Sequence, residues 1–409
     1  MQRRSFFQKG FIGATAFAFL PQFRAEASPN TEPLLTWPVP DLKAVLPNKV
    51  LIDSIELLKV DQYLLMVVRS NGQIGITQCN DRMPHLVSLL KGLVLPHFIG
   101  FDARDLVQLV DNAYRLNSNY KYTGMPLWNC IGSVEIAIWD LLGRIAQKPV
   151  HQLLGTAVRS NYPVYISDWS REGDPAAIIE VLQEKLKATG AKGVKIKIGG
   201  RMVNTPENAA QTRRFVPALR KGLGDAITIY ADANGSYNVK EGIEAGRLLE
   251  DHGVAIFEEP CNFEDEEGMR QINKALKKVV LAGGEQDSSL FRFRRLAQNK
   301  VYDILQPDLY YNGGIMRTLQ VSAMASHYGL KGIAPHTPKA DPLIAPFWQV
   351  AAVAPNLFGF QEFVYDAKSV KPTWYSKIEA KEGVVEIPTR PGLGIDYDLS
   401  ILAKAVRIV

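Results

Sequence analysis

Cysteine is scarce in this chain: Cys79, Cys130 and Cys261 are the only three among 409 residues. An odd count without metal-type spacing argues against a disulfide framework and against a cysteine-bound zinc. Long apolar runs are scarce as well. The stretch from Phe11 to Leu20 falls short of the roughly 20 residues that a membrane-spanning helix needs, so no stable membrane anchor is expected. Charge of one sign is also lacking. Net charge is +5, and Arg3, Arg4, Lys9 and Arg24 against Glu26 place +3 of it in residues 1–27. The remaining +2 gives no footing for nucleic acid or a membrane surface as partner. What is present, 46% hydrophobic and 22% charged residues, is an ordinary globular composition. The chain is long enough for one large barrel and a smaller domain.

Residues 1–27 read as an export signal. A paired Arg3-Arg4 precedes "SFFQK", the short apolar stretch follows, and "AEA" at Ala25–Ala27 offers a small-residue cleavage site. The pattern resembles a twin-arginine signal, which is an address and not an anchor. It implies a periplasmic protein exported already folded. A short amphipathic N-terminal helix is the plainer reading of the same residues.

From residue 28 a proline-rich lead-in runs to Pro47. Strand-like text then follows through "QCN", with a turn at Ser70-Asn71-Gly72. From about Leu86 to Leu154 the pattern becomes helical, clearest in "SVEIAIWDLLGRIAQKPVHQLLG". Residues 28–155 are therefore expected to form an α+β capping domain. From about 156 to 365, β-like runs alternate with helical text: "GVKIKI", "ITIYADAN", "VAIFEEP", "VVLAGGEQ", "YDILQPD", "KGIAPH" and "LFGFQEF". Successive βα units of this kind build a parallel sheet closed as a (β/α) barrel. Residues 366–409 are left as a C-terminal segment.

Each of these runs ends on an ionisable residue: Lys195 and Lys197, then Asp232, Glu258, Glu285, Asp308, His336 and Glu362. The steps from Lys197 onward are 35, 26, 27, 23, 28 and 26 residues, about one βα unit each. A parallel barrel brings all its strand C-termini to one rim, where active sites of this architecture form. Asp232, Glu258 and Glu285, on consecutive strands, offer three hard oxygen donors suited to one Mg²⁺ and unsuited to zinc. Asn234, two after Asp232, is a candidate to orient a ligand or substrate, though it could equally serve the turn in "ANGS".

Lys195 and Lys197 fall on one face of a strand whose other residues are apolar. A nearby divalent cation and a second ammonium both favour the neutral form of one lysine, which makes it a usable base. Lys197, nearer the rim, is the expected base. Lys195 would lower its pKa or hold a substrate carboxylate. On the other side, His336 would act with Asp308 receiving its ring N–H.

The lysine pair, "YADAN", "FEEP", "GGEQ", "QPDLYYNGG", "APH" and "FGFQEF" together resemble the enolase superfamily, in its mandelate racemase-like subgroup. The likeness extends from about residue 48 to "RPGLGIDYD". It implies a modified (β/α) barrel with an N-terminal α+β cap, and a C-terminal segment returning to the cap. It also implies proton abstraction α to a carboxylate with Mg²⁺ bound. By resemblance, Asp232, Glu258 and Glu285 are the metal ligands, Lys197 the base on one face, and His336 with Asp308 the dyad on the other. Lys195 is the first lysine of the K-x-K pair. Glu362, protonated, would hydrogen-bond a substrate carboxylate oxygen. Relatives that cyclise muconate or epimerise dipeptides carry lysine where this chain has Asp308, and typically Asp at the third ligand. Galactonate dehydratase-like members carry His at the position of Asn234. The cap departs from the family's usual Gly-x-Gly-Glu, reading "GQIGITQCN".

Acid and base groups on both faces allow two outcomes. Dehydration of an acid sugar to a 2-keto-3-deoxy acid is the main expectation. Racemisation or epimerisation of a 2-hydroxy acid or acid sugar is the alternative, and a non-catalytic acid-sugar binder the remote one. The partner is a small carboxylate, and the resemblance implies a homo-oligomer, dimer or octamer.

Overall fold

The computed structural model describes residues 37–38, 41–339, 342–365 and 373–409. The export-signal residues 1–27 lie outside the described residues. Among those described, no helix is long and apolar enough to cross a membrane.

The cap is built on an antiparallel meander of β1 (Ser54–Val60), β2 (Tyr63–Ser70) and β3 (Gln73–Gln78). Asn71 and Gly72 both have positive φ, 46° and 78°, as a two-residue Asn-Gly hairpin turn requires. This is the turn expected from the sequence, and it pairs Ser70 with Gln73. The helix Met125–Ile145 lies against this sheet and is buried at every position from Leu127 to Gly143. A helix apolar on all sides needs cover on all sides. The meander covers one face and the barrel another.

Eight parallel strands follow: β4 (Asn161–Ser167), β5 (Gly193–Lys197), β6 (Thr228–Asp232), β7 (Ile256–Glu258), β8 (Val280–Gly283), β9 (Ile304–Leu305), β10 (Gly332–Ile333) and β11 (Gln361–Phe363). Each of the first seven is followed by a helix. β11 pairs with β4, and backbone bonds from Ile333 N to Asn356 O and from Phe358 N to Ile333 O join β10 to the approach of β11. β4, absent from the runs picked out of the sequence, is thus the strand on which the barrel closes. The floor is an apolar plug of Tyr165, Tyr230, Ile256, Val280, Ala282 and Ile304.

The C-terminal segment does two jobs. β12 (Ala380–Lys381) and β13 (Val384–Glu386) form a hairpin whose second strand pairs with the start of β4. β14 (Val406–Arg407) adds an edge strand to the cap through β1. Between them Gly392 crosses the long cap helix so closely that a Cβ on Gly143 would lie 2.7 Å from its Cα. Asp140 accepts from Leu393 N at 2.7 Å and from Ile76 N at 2.8 Å, fastening segment and sheet to one helix.

Candidate active site

Strand register sets the polar layer. Lys197 is opposite Asp232, and Asp232 opposite Glu258, so their side chains point into the barrel together. Both lysines are buried, Lys195 at 1% and Lys197 at 8% exposure, so solvation does not account for the pair. The compensation is carboxylate. Lys195 Nζ lies 3.0 Å from Glu258 and 3.3 Å from Glu362, and Lys197 is ion-paired with Asp232. Burial alone would lower the pKa of Lys195, but Glu258 and Glu362 outweigh it and hold the ammonium well above its ordinary value. Lys195 is therefore a fixed cation.

Asn234 is held at φ 44°. Its backbone N–H donates to Asp232 at 2.8 Å and its side-chain amide at 3.2 Å. Arg171, in the loop after β4, donates to the Asn234 side-chain oxygen and to the carbonyls of Ile198 and Gly200. Asn234 thus orients Asp232, and Arg171 orients Asn234. Arg171 carries no sequence signal, because it reaches the site from a loop outside the phased series.

On the other side of the barrel, Asp308 accepts the backbone N–H groups of Tyr310 and Tyr311 at 2.9 and 3.1 Å on one oxygen. Its second oxygen receives His336 Nδ1 at 2.9 Å and pairs with Lys339. Burial would raise the Asp308 pKa, but Lys339 and His336 hold it well below the carboxylate range. His336 Nε2 lies 3.1 Å from Glu285 Oε2 in an orientation that makes no hydrogen bond. Lys339 is a site residue the sequence reading missed, since it lies three past the strand-end histidine. Glu362 accepts from Thr337 N at 3.3 Å. Burial would push it up, but Lys195 and His336 bring it below its ordinary value. The protonated form implied by resemblance would have to be induced by a substrate's own negative charge.

These groups meet in a cavity of about 550 Å³ between barrel and cap. Lys195, Lys197, Asn234, Glu285, His336 and Glu362 line it, while Asp232, Glu258 and Asp308 stand behind their cationic partners. The cap contributes Gln78 to Arg82 and Met125, so the loop that departs from the family's usual cap motif does reach the site.

Residues 44–155 match the family described as mandelate racemase / muconate lactonizing enzyme, N-terminal domain, and residues 177–401 match the enolase C-terminal domain-like family. The chain belongs to the enolase superfamily, in its mandelate racemase-like group. It is 26% identical over 331 residues to the arabinonate dehydratase of Saccharolobus solfataricus, covering 80% of this chain and 85% of that one. It is 27% identical over 351 residues to the D-gluconate dehydratase of Thermoproteus tenax, covering 83% and 69%. A racemase candidate from Roseobacter denitrificans superposes with a TM-score of 0.80 at 28% identity, over 88% of this chain and 99% of that one. A magnesium complex from Paracoccus denitrificans shares the fold at TM-score 0.81 and 24% identity, over the same shares.

Among the described residues, no three His, Cys, Asp or Glu side chains close on a common point as metal ligands. The reason is local. Asp232 and Glu258 are turned onto lysines, and Glu285 lies beside His336. The chemistry still fits a hard cation. Burial first, then Glu259, Glu258 and Asp232, push the Glu285 carboxyl far above its ordinary range. Glu259 is likewise raised, to about 8, by burial and then by Asp232 and Glu258. Glu285 Oε2 and Glu259 Oε1 are buried without hydrogen-bond partners. Crowded, underpaired carboxylates of this kind are relieved by a divalent ion.

Proposed function

We propose that the protein is a Mg²⁺-dependent acid-sugar dehydratase, with a racemase or epimerase acting through the same residues as the alternative. The observation that supports this most is the placement of Lys197 and the His336–Asp308 pair on different walls of one cavity, with Glu285 also lining it. Asp232, Glu258 and Glu285 would hold one Mg²⁺. When bound, the ion supplies positive charge that stabilises the charge developing on the substrate carboxylate as its α-proton leaves. Lys195, already a cation, grips that carboxylate. Lys197, released from Asp232 as the neutral amine, takes the proton from C2 on its Nζ lone pair. Asp308 holds the Nδ1–H of His336 and balances the charge of its imidazolium, whose Nε2–H delivers a proton to the hydroxyl on C3 and leaves the ring neutral. The C2–H and C3–O bonds break, water departs, and the enol becomes the 2-keto-3-deoxy acid. Returning the proton to C2 from the His336 side would instead invert the centre. The dehydratase names of the arabinonate and gluconate relatives support the first outcome, and the Roseobacter structure the second.

The test is incubation with Mg²⁺ in D₂O against mono- and diacid sugars, reading α-deuterium and 2-keto acid together, beside Lys197→Ala and His336→Asn. Keto acid lost in either variant supports dehydration; exchange with inversion and no keto acid moves the reading to racemisation. We also read Arg3-Arg4 and the segment to Ala27 as a periplasmic export address, checked by fractionation of an Arg3→Lys/Arg4→Lys double variant. A homo-oligomer, dimer or octamer, is the assembly expected by resemblance, and light scattering measures it.

A further inference from the structure

Beyond the lysine pair on β5, the cavity lining carries the cations Lys339 and Arg82. Lys339 is buried to 9% exposure, and Asp308 is the carboxylate it pairs with. That carboxylate already receives His336 Nδ1 and two backbone N–H groups. An ammonium has three donors and no acceptor, so among the described residues Asp308 leaves donors of Lys339 for the cavity it lines. Arg82, on the cap loop, lines the same cavity. Its acidic neighbour Asp81 lies 3.6 Å away with a side chain 77% exposed, a pairing that solvent makes weak.

Tyr311 lines the cavity together with Arg82 and Lys339, and Lys339 Nζ lies 5.7 Å from the centre of its ring. A guanidinium, an ammonium and a phenol therefore line the cavity from cap and barrel, in addition to the Lys195–Glu362 pair assigned to the reacting carboxylate. A guanidinium fork matches a carboxylate edge with two parallel donors.

We infer that Arg82 and Lys339, which line the cavity beside Tyr311, form a subsite for a second carboxylate, so that the substrates are acid sugars ionised at both ends. This rests on the acid-sugar reading above and narrows it, since a neutral terminal hydroxymethyl offers no charge to the donors that Asp81 and Asp308 leave over on the two cations. The cap supplies one half of the subsite, so the distal carboxylate also draws cap and barrel together.

Matched six-carbon acids that differ only at C6 test it: glucarate, galactarate and mannarate against gluconate, galactonate and mannonate. Each is titrated calorimetrically into the Mg²⁺-loaded full chain, wild type and Arg82→Met, with Lys339→Met as a second variant. The expected result is at least one diacid bound about tenfold or more tighter than its monoacid partner, as one added charge-assisted pair provides. That ratio should collapse in Arg82→Met, whose side chain lies on an exposed loop. Monoacids bound as tightly as their diacids, or a ratio that Arg82→Met leaves unmoved, overturns the inference and leaves the acid-sugar reading intact. No binding by either class overturns both.

Discussion

His336 and Asp308 are joined through Nδ1 and Oδ2 at 2.9 Å, at the edge of a cavity into which only the histidine projects. Because Asp308 is held ionised by Lys339 and His336, the shared proton sits on Nδ1 and Nε2 faces the cavity. Asp308→Asn removes the anion that fixes this tautomer while keeping the shape. Turnover should fall about a hundred- to ten-thousand-fold, the range of a lost acid or base, with KM changed much less. Steady-state kinetics on the two proteins decides it.

The two lysines should fail in different ways. Lys195 is locked as a cation between Glu258 and Glu362, so Lys195→Met should raise KM and weaken binding of a non-reacting carboxylate. Lys197→Met should abolish α-proton exchange in D₂O while substrate still binds. Exchange persisting in Lys197→Met would move the base to another residue.

The phasing of ionisable residues was legible because a βα unit has a nearly constant length, so even the two-residue strands β9 and β10 announced themselves through Asp308 and His336. β4 was not. It ends on Ser167, the Asp168 that follows pairs with Lys185 and does not line the cavity, and its place is set by β11, about 200 residues away. The side-chain partners were equally hidden. Which carboxylate meets which lysine depends on strand register, and Arg171 and Lys339 enter from loops where no period applies. The C-terminal segment illustrates the same limit. Its return to the cap was expected, yet its pairing with β4 through Val384–Glu386 is a long-range contact that local pattern does not encode.

Metal should act on stability as well as on rate. Ligand that binds only the native state adds about 2.7 kcal/mol at a hundredfold excess over Kd. Mg²⁺ should therefore raise the melting temperature, and chelator should reverse it and stop turnover. Glu285→Gln keeps the shape of a carboxyl that burial and crowding already push toward its neutral form but cannot ionise to hold a cation. It should melt no lower than wild type without metal and lose most of the Mg²⁺-induced rise. A full rise in that variant would exclude Glu285 as a ligand.

Acid should destabilise the protein partly through Asp308. Its folded pKa lies below the unfolded value, so the unfolded chain binds more protons and stability rises with pH in this window. The contribution is complete above about pH 4, the ordinary Asp value, and is lost progressively as pH falls below it. Urea titrations from pH 6 to pH 3 should show a steep decline in wild type and a shallower one in Asp308→Asn. Parallel curves would mean that the carboxylate is not ionised in the native state.

Cap and barrel meet at Gly132 of the long cap helix, where an added Cβ would lie 2.9 Å from Gly314 N and 3.0 Å from Gly313 Cα. One turn on, Glu135 accepts from Ile315 N and Met316 N, both at 3.0 Å, capping the barrel helix Ile315–His327. The chain that leads into that helix carries Asp308 and Tyr311. Gly132→Val cannot keep this approach, and overpacking of this kind costs about 1–3 kcal/mol, visible as a lower urea midpoint. The displaced Gly313–Gly314 backbone directly continues the turn whose Tyr310 and Tyr311 N–H groups donate to Asp308, so activity should fall by more than the small unfolded fraction explains. Kinetics at a temperature where the variant is fully folded separates the two effects. Normal turnover there would mean that the Asp308–Gly314 loop holds its shape without the cap helix against it.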